Sequence, residues 1–67
     1  MNIGEKFMLL GLEYEVSKIK EDRISAKLLS NEGSLPETHS KFLIGNSYYN
    51  LIYVNKGQKF ITMKKLS

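Results

Sequence analysis

The chain has 67 residues, no cysteine, and a formal charge of +3 from ten basic and seven acidic side chains. That is one domain, too small to build both a core and a deep catalytic pocket, and it excludes disulfide staples and thiolate metal sites. At 42% hydrophobic residues the chain carries enough apolar surface to fold.

The charge is unevenly spread. Residues 1–37 hold five basic residues against all seven acids, whereas residues 38–67 hold Lys41, Lys56, Lys59, Lys64 and Lys65 and no acid. A split of this kind points to an anionic partner, unless folding interleaves the halves. The longest runs of large apolar residues, Phe7–Leu10 and Leu51–Val54, fall far short of the about 20 residues of a membrane span. The N-terminus lacks the pattern of a signal peptide. The expectation is a cytoplasmic protein with no membrane partner.

In chain order, Lys6–Leu10 reads as the first strand, and Gly11 allows a sharp bend into the second. Along the second strand, Tyr14 and Val16 point one way and Glu13, Glu15 and Ser17 the other. Ile19 breaks that parity, which predicts a bulge or strong twist. The polar connection Lys20–Arg23 suits a hairpin. In the third strand Ile24, Ala26 and Leu28 share one face, and Ser25 and Lys27 the other. Residues 30–41 form a long polar loop with the only proline, Pro36. Lys41–Ile44 is a short apolar run closed by Gly45-Asn46, and Ser47–Val54 is a long β-rich run. Asn55-Lys56-Gly57 predicts a tight turn with Gly57 as its left-handed residue. The returning strand, 58–64, sets Phe60 and Thr62 against Ile61 and Met63. No window has helical spacing, and no internal repeat is evident.

The reading is therefore all-β: one domain spanning 1–67, a small antiparallel barrel or strongly bent sheet of five to six strands. The phrase Gly11-x-x-Tyr14-x-Val16-x-x-Ile19 followed by Ile24-x-Ala26-x-Leu28 resembles the opening hairpin of SH3-like barrels. That likeness implies a fold and no particular function.

Two surfaces bear on function. Ser47–Val54 and Phe7–Leu10 are apolar on both faces, more than one side of a small sheet needs, which predicts a protein-docking face. In the C-terminal half, Tyr48, Tyr49, Tyr53 and Phe60 alternate with lysines, a pattern that suits phosphates and unpaired bases. The parity of residues 48–54 is open, so Tyr49 and Tyr53 are candidate outward rings that trade places with Tyr48 and Ile52 on a one-residue shift. His39 lacks companions for a metal site, no serine sits in a nucleophile motif, and Glu13 with Glu15 reads as a solvated stripe. No catalytic residue, metal or cofactor is expected.

The leading expectation is a non-enzymatic protein-interaction module, an inhibitor or adaptor of the kind a mobile element encodes against a host. It docks a homodimer partner or a foreign protein through Tyr49 and Tyr53, with Lys56, Lys59 and Lys64 at the rim. The alternative is nucleic-acid or nucleotide binding through the basic C-terminal hairpin.

Overall fold

The computed structural model describes residues 1–30 and 35–66. Part of the expected loop, 31–34, lies outside the described residues. Six antiparallel strands run in chain order: β1 (Lys6–Leu9), β2 (Leu12–Lys20), β3 (Arg23–Leu28), β4 (Lys41–Ile44), β5 (Ser47–Asn55) and β6 (Phe60–Lys65). The sheet order is β1-β2-β3-β6-β5-β4, and β1 curls round to lie alongside β4 without a ladder between them. The result is a nearly closed barrel, and the described residues contain no helix.

Alternation sets the inside. Phe7, Leu9, Tyr14, Val16, Ile24, Ala26, Leu28, Tyr49, Leu51, Ile61 and Met63 form one buried core. Pro36 is buried and Leu35 is half-buried and packs against the core, so this part of the connection lies on the barrel rather than standing away from it. The parity break expected at Ile19 is a bulge: Val16 pairs with Ala26, Lys18 pairs with Ser25, and Ser17 is the extra residue. Ile19 thereby returns to the inner face opposite Ile24. A second bulge at Ile52 does the same in β5, so that Leu51 and Val54 both face inward while Tyr53 faces out opposite Thr62. These bulges explain how two long strands carry apolar residues at changing parity.

A repeat that is not evident in the sequence is present in the topology. The strands of β1-β2-β3 have 4, 9 and 6 residues, and those of β4-β5-β6 have 4, 9 and 6. Each half has a two-residue first turn, Leu10-Gly11 or Gly45-Asn46, and a bulge at the same place in its long strand. Superposing the halves in sequence matches Lys6 with Lys41, Phe7 with Phe42, Tyr14 with Tyr49, Ile24 with Ile61 and Lys27 with Lys64. The backbone repeats as well. Gly4 N–H donates to the Val16 carbonyl as His39 N–H does to that of Leu51, and Lys65 N–H donates to Asp22 as Leu28 N–H does to Lys59.

A pseudo-two-fold axis relates the halves and passes through the β3–β6 ladder at the pair Ser25–Thr62, which are each other's counterparts. Ile24 faces Met63 and Ala26 faces Ile61, the reciprocal arrangement that a two-fold axis requires. The Ser25 and Thr62 hydroxyls share a hydrogen bond of 3.0 Å on that axis.

Candidate functional site

The outward side chains of β2, β3, β6 and β5 make a continuous face around the Ser25–Thr62 pair. Register places Lys18, Ser25, Thr62 and Tyr53 in one row across it. The rows on either side are Glu15-Lys27-Phe60-Asn55 and Lys20-Arg23-Lys64-Asn50. Because β3 pairs with β6, the folded chain mixes its two halves. Lys18, Lys20, Arg23 and Lys27 from the acidic half stand on the same face as Lys64 from the basic half.

Two open depressions mark this face. One is lined by Ser17, Lys18, Ser25, Lys27, Gln58 and Phe60, with no carboxylate among the described residues that line it. The other is lined by Lys20, Glu21, Asp22, Arg23 and Lys64. The single ion pair among the described residues is Lys64 Nζ to Asp22 Oδ2, 3.9 Å long and half exposed, which adds little to stability. Glu15 stands beside Lys27 in the register yet forms no ion pair with it. The cations Lys18, Lys27 and Arg23 are therefore available to a ligand.

Tyr53 and Phe60 form a tilted pair on this face, with ring centroids 5.7 Å apart and planes at 49°. Tyr53 is 49% exposed, and Asn55 Nδ2 donates to its hydroxyl at 3.4 Å. Of the two candidate outward rings, Tyr49 is corrected: it is 4% exposed and faces the core opposite Phe42. Lys64 lies on the outer face. Lys56 and Lys59 lie in the β5–β6 turn, which has four residues, 56–59, rather than the expected three. Its left-handed residue is Lys59, at φ 55°, and not Gly57. The Asn55 side chain braces the turn by accepting from Gln58 N–H at 2.9 Å.

Sequence reasoning missed Lys18, Arg23 and Lys27 as partners of the aromatic pair. Alternation already put Ser25 and Lys27 on the face away from the core. What it lacked was the β3–β6 pairing that carries them next to Phe60. His39 sits in the turn before β4 at φ 73°, where the first half has Gly4.

A second exposed surface lies elsewhere. Met8 and Leu10 belong to the β1–β2 hairpin, and Leu43 pairs with Tyr48 on the outside of the β4–β5 hairpin. Leu10 is 70% exposed and held at φ 53°. Compared with known proteins, the chain matches no family model, no curated sequence and no solved structure.

Proposed function

We propose that the outer face of β2, β3, β6 and β5 binds single-stranded nucleic acid, and that the protein is a non-enzymatic cytoplasmic binding module. The observation that carries this reading is the depression of Lys18, Lys27, Ser17, Ser25, Gln58 and Phe60, whose described lining has two cations and no carboxylate, with the exposed Tyr53 ring adjoining it. Lysines neutralise phosphates and release counterions, aromatic faces stack on unpaired bases of any sequence, and hydroxyl and amide groups bond to sugars and base edges. Lys56 and Lys59 extend the positive field beyond Phe60.

The test is fluorescence anisotropy of a labelled oligothymidine and a duplex of equal length at two salt concentrations. The single strand binds more tightly, affinity falls steeply with salt, and Lys18→Glu with Lys27→Glu abolishes it. Absence of binding at low salt removes the reading.

A second reading, protein docking, is favoured by Leu10. An exposed leucine in the left-handed region costs about 1–2 kcal/mol, and strain of this kind is retained where the side chain has a use. The partner on this reading is a second copy, joined through the Met8–Leu10 hairpin. Light scattering over a concentration series then finds a dimer that Leu10→Asn dissociates. A monomer throughout removes it.

A further inference from the structure

The two depressions on the outer face fall at partly equivalent positions. The pseudo-two-fold axis carries Ser25 to Thr62, Lys27 to Lys64, Lys18 to Tyr53 and Arg23 to Phe60, so the surroundings of the first depression overlap those of the second. The positions are equivalent and the chemistry is not. On the β2–β3 side of the axis stand Lys18, Lys20, Arg23 and Lys27, with Glu15 beside Lys27 and Glu21 and Asp22 in the turn. On the β5–β6 side the three rows hold Tyr53, Phe60, Asn50 and Asn55, with Lys64 as their one cation, and Lys56 and Lys59 stand in the turn beyond Phe60. Where the first half has a cation at Lys18 and at Arg23, the second has an aromatic ring at Tyr53 and at Phe60. Those two rings lie 5.7 Å apart.

We infer that the nucleic-acid strand lies along the β3–β6 ladder with its phosphates over β2 and β3 and its bases over β6 and β5, so that each half of the barrel holds one part of the ligand. This rests on the reading above and adds the ligand's orientation and size. Arg23 and Lys27 are separated by four residues of strand, about 13 Å at the usual rise. A mononucleotide cannot reach both. The ligand is an oligomer at the low end of small-barrel sites, about four nucleotides. Bases laid across Phe60 and Tyr53 meet amide groups at Asn55 and Asn50. Phosphates on the other side meet Lys18, Lys27 and Arg23, none of which forms an ion pair with a described residue.

The experiment compares an oligothymidine of eight nucleotides with an abasic strand of the same length, by anisotropy over a salt series. Oligothymidine binds about tenfold more tightly than the abasic strand. Phe60→Leu and, separately, Tyr53→Leu bring oligothymidine down toward the abasic level and leave abasic binding unchanged. Lys27→Gln and Arg23→Gln weaken both ligands equally and lower the slope of log affinity against log salt by about 0.7 each. Circular dichroism of each variant establishes that the barrel is intact. Equal binding of the two strands, or equal loss of both in the aromatic variants, overturns the orientation while the nucleic-acid reading stands. Failure of both strands to bind at low salt takes down the nucleic-acid reading itself.

Discussion

Phe7 and Tyr14 face each other across the β1–β2 ladder with their rings stacked, centroids 5.5 Å apart and planes 13° from parallel. The hydroxyl at the end of the Tyr14 ring is buried and has no hydrogen-bond partner. A buried hydroxyl without a partner costs about 1–3 kcal/mol, whereas the ring itself fills the core. Tyr14→Phe keeps the stack and removes the orphan. The variant melts higher than the parent, by about 7 °C for each kcal/mol recovered in a domain of this size. A lower melting temperature for Tyr14→Phe would falsify the orphaned hydroxyl.

The same burial sets a pH dependence. Desolvation raises the Tyr14 hydroxyl above its ordinary value near 10. Above that pH the unfolded chain loses this proton while the folded chain keeps it, so the folded state binds more protons and stability falls as pH rises. The contribution is fully present below pH 10 and is lost as pH climbs through the folded value. Urea midpoints measured from pH 9 to 11.5 decline in the parent and decline less in Tyr14→Phe. Parallel curves for the two proteins count against this assignment.

The β1–β2 turn invites a substitution that gains stability. Leu10 and Gly11 both have positive φ, 53° and 79°, which is the geometry of a type I′ turn. Asn-Gly is the favoured pair for that turn, and Leu10 buries little. Leu10→Asn therefore stabilises the fold by about 1 kcal/mol, read as a higher urea midpoint with an unchanged slope. A destabilised Leu10→Asn means that the leucine makes a contact worth more than the strain.

Tyr49 and Tyr53 differ by four positions and should respond in opposite ways. Tyr49→Ala empties core volume and costs about 3–5 kcal/mol, close to the whole stability of a domain this small. Tyr53→Ala removes an exposed ring and costs under about 1 kcal/mol. Thermal melts of the two variants decide the parity of β5 directly. A reversed order would place the bulge elsewhere.

The strands of strict alternation were legible in the sequence. Ile24-x-Ala26-x-Leu28 and the split of Phe60 and Thr62 from Ile61 and Met63 are both seen as expected. The break at Ile19 also pointed to a bulge, which lies two residues earlier, at Ser17. β5 was not legible, because Tyr48, Tyr49, Leu51, Ile52, Tyr53 and Val54 leave no polar residue to mark the outer face between Asn50 and Asn55. Its bulge at Ile52 then changes the parity midway. The internal symmetry was hidden for a related reason. What the halves share is burial and backbone geometry, and the β2–β3 turn has two residues where the β5–β6 turn has four. The candidate site inherited both gaps. Tyr53, Lys56, Lys59 and Lys64 are exposed as expected and Tyr49 is not. The cations of β2 and β3 joined the site only when the pairing of β3 with β6 was known.

A symmetric pair of separate chains must display the same residue twice, so any change that helps one side is imposed on the other. Here both sides belong to a single polypeptide, joined by the segment between Leu28 and Lys41. Substitutions can accumulate on one side alone. The lysine at position 18 and the tyrosine at 53, or the arginine at 23 and the phenylalanine at 60, are unlike side chains at equivalent positions, which identical subunits could not reach.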